Sequence, residues 1–221
     1  MDQFLVEKQV PYYEQFYQRI KQMIFDGKYQ PGERINETQL AKQFSVSKSP
    51  VREAIRILEK EGLLEIKNTK LVVYEPTLKD VKDIYFCRMA LESFAVDLTT
   101  RIATESQLDE LGNLLLNTEK AIKSCKGSST IIELNEQFHT LILQFTDNSR
   151  IQKQVNDLKG LIHYYRVLNF KGKNRAEDIL GQHHDILYYI KNRDALSASN
   201  EMIKHLEKDI EHLVHVLTND S

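Results

Sequence analysis

The chain has 221 residues, of which 41% are hydrophobic and 28% charged, with a formal net charge of −2. That length allows one or two domains with a substantial core, and the composition excludes a disordered or low-complexity chain. The charge balance excludes a uniformly basic surface, so an anionic partner has to meet a local patch.

A boundary is placed near Pro76, the last proline of the chain. Residues 1–76 alternate short helices, turns and a hairpin, whereas 77–221 reads as helix to its end. Tyr13, Phe16, Tyr17, Ile20, Met23 and Ile24 recur at helical spacing and predict a helix over 11–26. Asp26-Gly27 stops it and Pro31-Gly32 turns the chain. Asn36, with Gln39 three residues on, caps a short second helix carrying Leu40, Ala41 and Phe44. Ser47 caps a third helix reaching about Glu61, with Pro50 in its first turn and Gly62 as its stop. LLEIK and LVVYE follow as two strands around Asn68-Thr69. Three helices and a two-stranded wing predict a winged helix-turn-helix.

Beyond Pro76 the spacing predicts six helices, over 78–103, 106–124, 130–146, 149–168, 175–191 and 194–218. Each opens on a polar or cap-competent residue: Thr77, Glu105 or Ser106, Ser129, Asn148, Asn174 and Asp194. Links of a few residues predict antiparallel neighbours. The expected fold is mostly α: an N-terminal winged helix-turn-helix (1–76) plus a C-terminal all-α antiparallel bundle (77–221).

On the third helix, Val51, Ala54, Ile55 and Leu58 form one apolar face. Lys48, Arg52 and Arg56 follow one another at i, i+4 and i+8 on another, beside Ser47 and Ser49. Cations near a helix N-terminus oppose its dipole by a few tenths of a kcal/mol each, roughly. An anion reverses that sign, because backbone N–H groups, hydroxyls and cations together bind phosphate while long side chains reach base edges. Residues 1–76 hold 12 Lys and Arg against 11 Asp and Glu, a net of +1, so binding requires a narrow basic edge and two copies of the domain.

In the second part, Val81, Ile84, Tyr85, Leu91 and Ala95 mark the apolar stripe of helix 78–103, and Arg88 and Glu92 fall inside it. Two readings stand there: an i, i+4 ion pair closed on itself, or a buried guanidinium fork open to a carboxylate. The second is preferred, because burying charge without use is costly. His183 lies near the centre of its own stripe, His205 lies beside Met202, and Asn135 and His139 stand one turn apart. Three imidazoles and one amide oxygen on three helices suit Zn²⁺ or Ni²⁺. His163, His184, His212 and His215 fit their stripes less well and read as surface or supporting residues.

PGERINETQLAKQFSVSKSPVREAIRILEKEGLLEI resembles the DNA-binding domain of the GntR family of bacterial transcription regulators, over residues 12–75. The resemblance implies that Ser47, Lys48, Ser49 and Arg52 contact operator DNA, with Arg56 on the same edge and the wing tip, carrying Asn68 and Lys70, in the minor groove. Family wings commonly carry glycine at the tip; this one reads Lys67-Asn68-Thr69-Lys70. DIYFCRMALESFAVDLTT, LNEQFHTLIL and QHHDILYYIKNRDALSASNEMIKHL resemble the FCD-type effector domain, over residues 78–217. That resemblance implies a divalent-ion site at Asn135, His139, His183 and His205, with asparagine where the family commonly has aspartate, which weakens affinity for a dication. It also implies an effector carboxylate on Arg88, beside Tyr85 and Glu92.

The expected protein is therefore a homodimeric transcription regulator, a repressor, bound to double-stranded operator DNA and controlled by a small carboxylate effector, with a divalent metal. The alternatives are a metal-free sensor of the same family and a metalloenzyme using Glu136 or Asp185 as base, whose spacing matches no HExxH motif. With no run of about eighteen apolar residues, no membrane partner is expected. MDQFLVEK lacks a secretory pattern, and Cys87 and Cys125 read as buried thiols, so a cytoplasmic location is expected.

Overall fold

The structure is a computed structural model that describes residues 10–170, 172 and 174–219. The MDQFLVEK stretch read above for targeting signals lies outside them. Two compact units meet at the Glu75–Pro76 bond.

The first unit contains α1 (Tyr12–Phe25), α2 (Glu37–Gln43), α3 (Lys48–Lys60), β1 (Leu64–Lys67) and β2 (Lys70–Val73). Val51, Ala54, Ile55 and Leu58 of α3 are buried, as are Ile20 and Ile24 of α1 and Leu40 of α2. Each large aliphatic side chain so buried contributes about 1.5–3 kcal/mol. The side chain of Asn36 accepts from the N–H groups of Thr38 and Gln39 and starts α2. Ser47 occupies the cap position of α3 but makes no side-chain cap bond. The cause is local: the third helical position is Pro50, which has no N–H to donate. Gly62, at φ +75°, ends α3, with its N–H on Glu59 and that of Leu63 on Leu58.

The strands are antiparallel, with Leu64 opposite Val73 and Lys67 opposite Lys70. Asn68 (φ 51°) and Thr69 (φ 62°) form the two-residue turn, both left-handed as a tight hairpin requires. A further extended segment, unforeseen from the sequence, lies along β2: Gly32 N–H bonds Val73 O, and Ile35 N–H bonds Leu71 O, each at 2.9 Å. A β-branched side chain is strained at positive φ. Thr69→Gly is therefore expected to raise the stability of this unit by roughly 0.5–1 kcal/mol. A denaturation midpoint that stays put or falls would show an unstrained turn.

The second unit contains α4 (Leu78–Ile102), α5 (Glu105–Lys123), α6 (Ser128–Phe145), α7 (Ser149–Asp157), α8 (Lys159–Asn169), α9 (Arg175–Lys191) and α10 (Ala195–Asn219). α4 is the central element, touching α6, α7, α9 and, most extensively, α10. Thr77 with Asp80 and Thr104 with Gln107 form capping boxes at α4 and α5, so α5 starts from Thr104 rather than Glu105 or Ser106. α6 starts from Gly127, not Ser129, without a side-chain cap bond. Asn174 precedes α9 in left-handed geometry, again without one.

Two expectations are corrected. The helix expected over 149–168 is broken at Leu158, whose N–H turns to Val155 O three residues back. Asn156, Asp157 and Gly160, all weak helix formers, surround the break. Cys87 and Cys125 are exposed free thiols rather than buried ones. Cys87 follows the exposed Phe86 on the outer face of α4, and Cys125 lies in the turn after α5 with φ 51°.

Candidate DNA-reading surface and buried histidine site

Burying one face of α3 forces the other outward. Ser47, Lys48, Ser49, Arg52 and Arg56 are all exposed, as are Asn68 and Lys70 at the wing tip. Arg52 is not loose: its Nε donates to Glu37 Oε2 on α2 at 3.2 Å. That contact uses one edge of the guanidinium and leaves the terminal fork, the part that bonds guanine or phosphate bidentately.

The helices of the second unit bring His139 (α6), His183 (α9) and His205 (α10) together. One ring nitrogen of each lies within 4.8 Å of the other two. All three rings are buried, and their Nε2 atoms have no hydrogen-bond partner. Two tautomers follow from neighbours. His139 Nδ1 lies 2.6 Å from Glu92 Oε2 and His205 Nδ1 lies 2.7 Å from Gln182 Oε1, both acceptor oxygens. Each Nδ1 therefore carries the proton, leaving Nε2 with a free lone pair. His183 stacks on Phe138 with ring centroids 4.1 Å apart.

Burial pushes the pKa of His139 down to about 3, against the pull of Glu92. Burial does the same to His205, to about 3, with Arg88 adding to it, and it holds His183 well below the ordinary histidine value. Three neutral imidazoles with unpartnered Nε2 atoms, two of them fixed with the lone pair on Nε2, fit a divalent cation. Asn135 is buried one turn before His139 on α6 and supplies a neutral oxygen type.

Glu92 links this cluster to Arg88. Arg88 Nε donates to Glu92 Oε1 at 2.7 Å while Glu92 Oε2 takes His139. Burial alone would raise the Glu92 carboxyl; Arg88 and then His139 outweigh it and hold it well below the usual carboxylate range. The i, i+4 pair is thus formed, with Tyr85 under the guanidinium at 4.7 Å. Arg88 Nη1 and Tyr85 OH are buried without partners.

A cavity of ≈ 240 Å³ opens between α6, α7 and α8 and reaches His139 and Glu92. Arg88 and Tyr85, expected beside the effector, do not line it; Arg166 of α8 does. The sequence reading missed Arg166, Gln182 and Asp209. It also missed the pairing of Glu136 with His163 at 2.7 Å and Lys159 at 3.3 Å. Asp209 is buried, paired with Arg175, and 3.8 Å from His205 Nε2. Arg166 shares a helix face with Ile162 and Asn169, a signal blurred when 149–168 is scanned as one helix.

Compared with known families, residues 12–70 match "Bacterial regulatory proteins, gntR family" and residues 83–208 match "FCD domain". The HTH-type transcriptional regulator YdhC of Bacillus subtilis (strain 168) is 44% identical over 218 residues, 98% of this chain and 97% of the relative. The chain belongs to the GntR family. A second relative, the gluconate operon transcriptional repressor of Bacillus subtilis (strain 168), is 30% identical over 180 residues, 79% of this chain and 74% of its own. The solved structure of E. coli McbR/YncC shares the fold, with a TM-score of 0.76 and 23% identity over 94% of this chain and 99% of that one. This GntR protein is a DNA-binding transcription regulator with an FCD domain, not an enzyme. Among the described residues, no helix is long and apolar enough to cross a membrane.

Proposed function

We propose that this GntR regulator is a cytoplasmic repressor that binds operator DNA as a homodimer and is released or retained by a small organic acid held in the FCD bundle. The observation that carries the DNA half is the outward row of Lys48, Arg52 and Arg56 on a helix whose opposite face is buried. Lys48, Ser47 and Ser49 hold phosphates at the start of α3, Arg52 reads a base edge, and Asn68 and Lys70 enter the minor groove. Glu37 fixes the rotamer of Arg52, so less side-chain freedom is lost on binding. Relatives named as repressors, including RspR of Escherichia coli (strain K12), support the sign of the regulation.

In the bundle, His139, His183 and His205 would hold a divalent ion with Asn135 as the oxygen donor, and that ion would supply a Lewis-acidic contact for an effector oxygen. Glu92 and Gln182 orient two of the rings, and Arg88 keeps Glu92 ionised. An effector that binds one spacing of the two DNA-reading units more tightly shifts the dimer toward it.

Arg52→Ala is expected to weaken specific operator binding by about 5- to 150-fold, corresponding to roughly 1–3 kcal/mol, with the thermal unfolding profile kept. Fluorescence anisotropy on operator and scrambled DNA, at two salt concentrations, measures it. Equal affinity for both DNAs in the unmutated protein, or no salt dependence, would end the DNA-reading assignment.

A further inference from the structure

Of the three cations in the outward row of α3, one is restrained. Lys48 and Arg56 make no ion pair among the described residues, whereas Arg52 Nε donates to Glu37 Oε2 at 3.2 Å. Stability does not account for the pair. The Arg52 and Glu37 side chains are 52% and 35% exposed, and bridges so open to water contribute little to folding. Capping does not account for it either, since Asn36 already takes the N–H groups of Thr38 and Gln39 at the start of α2. The α2 dipole favours a carboxylate in this first turn, but it does not turn that carboxylate across to α3. Residues 1–76 carry a net charge of only +1, so neutralising a cation of the reading helix weakens the attraction of this unit to DNA as a whole.

We propose that Glu37 is a specificity-determining residue, which keeps Arg52 off the phosphates and reserves its fork for an uncharged base edge. The inference rests on the reading of α3 as the DNA-reading helix and adds the device that makes it selective. A phosphate and the edge of a guanine both offer the fork a pair of acceptor atoms. They differ in charge. A phosphate oxygen bonded to Arg52 lies close to the Glu37 carboxylate and is repelled by it. Guanine O6 and N7 carry no formal charge, so the same carboxylate costs them little. An unpaired arginine at this point holds the phosphates of any sequence, which is the sequence-independent part of DNA binding. The paired arginine loses that contact and keeps the selective one. Specificity is a difference between two affinities, so a charge that weakens the wrong complex raises it. Glu37 needs no contact with a base; it acts through Arg52 as a positioning residue.

The test uses the full-length protein and two duplexes, one selected by that protein from a random-sequence pool and one with the same bases scrambled. Fluorescence anisotropy over a series of KCl concentrations gives the affinity and the salt slope for each. Glu37→Gln keeps the side-chain length and an oxygen that Arg52 Nε can reach, and it removes the charge. At about 0.1 M salt it is expected to tighten binding to the scrambled duplex about fivefold and to steepen that salt slope by about 0.9, the contribution of one phosphate contact, while the selected duplex changes by less than about twofold. In an Arg52→Ala background the same substitution is expected to leave both slopes unchanged, because the cation it releases is gone. The thermal unfolding profile of Glu37→Gln should match that of wild type at so open a position. Equal changes on the two duplexes make Glu37 a merely orienting residue and overturn the proposal. An unchanged slope on the scrambled duplex overturns it too, as does a gain that persists without Arg52, which assigns the effect to bare charge. Should the unmutated protein select no sequence from the pool, the reading of α3 fails and Glu37 falls with it. A selected sequence bound alike by wild type and Glu37→Gln leaves that reading intact and removes Glu37 alone.

Discussion

Glu92→Ala is expected to destabilise the C-terminal unit by about 3–5 kcal/mol, the cost of leaving one member of a buried ion pair uncompensated. Arg88 is 1% exposed and its fork meets no other carboxylate among the described residues within ion-pair distance. Chemical denaturation of wild type and variant measures the effect. The double substitution Arg88→Met, Glu92→Leu is expected to recover most of the loss, because replacing both charges with apolar groups of similar volume is often neutral. A loss below about 1 kcal/mol for Glu92→Ala would place the pair among solvent-screened surface bridges, against its burial. The same substitution removes the acceptor that fixes the His139 tautomer, so histidine geometry and bundle stability fall together.

Asn135→Asp is expected to raise affinity for a divalent ion at least tenfold, about 1.4 kcal/mol. It adds a formal negative charge one helical turn before His139, whose Nε2, like those of His183 and His205, has no partner. Without metal, the new carboxylate is buried and unpaired, so the melting temperature of the metal-free variant should lie below that of wild type. On adding Zn²⁺ or Ni²⁺ the order should reverse, since tighter binding to the folded state stabilises it by mass action. Competition with a chelator gives the affinity. Equal affinities in the two proteins would remove Asn135 from the ligand set and favour a metal-free sensor.

The α3 start, its apolar face and its stop were legible because each is marked locally: Ser47 stands at the cap position, though without a cap bond, Pro50 in the first turn and Gly62 at the stop. The histidines and the Arg88–Glu92 pair were legible for another reason. Polar residues inside an apolar stripe stand out against a 3.6-residue period, whatever they touch. Arg166 was not legible, because the break at Leu158 shifts the phase of the stripe before Arg166 is reached. Gln182 and Asp209 were hidden for a different cause. Their partners, His205 and Arg175, lie 23 and 34 residues away, and only the packing of α9 on α10 joins them. The exposure of Cys87 was missed because α4 is apolar on several faces, and apolar neighbours such as Phe86 do not by themselves say which face is inward.

Pro50 removes from α3 the donor that Ser47 would have closed, so the reading helix has an unfinished first turn. On the proposed reading, the phosphate that meets Ser47, Lys48 and Ser49 is also the group that finishes this turn. Recognition and local folding are then a single equilibrium. Anything that orders the first turn in the absence of DNA, such as a residue with a backbone N–H in place of Pro50, would let the Ser47 hydroxyl satisfy the helix instead of the operator. The protein would gain a better helix and lose part of its reason to bind.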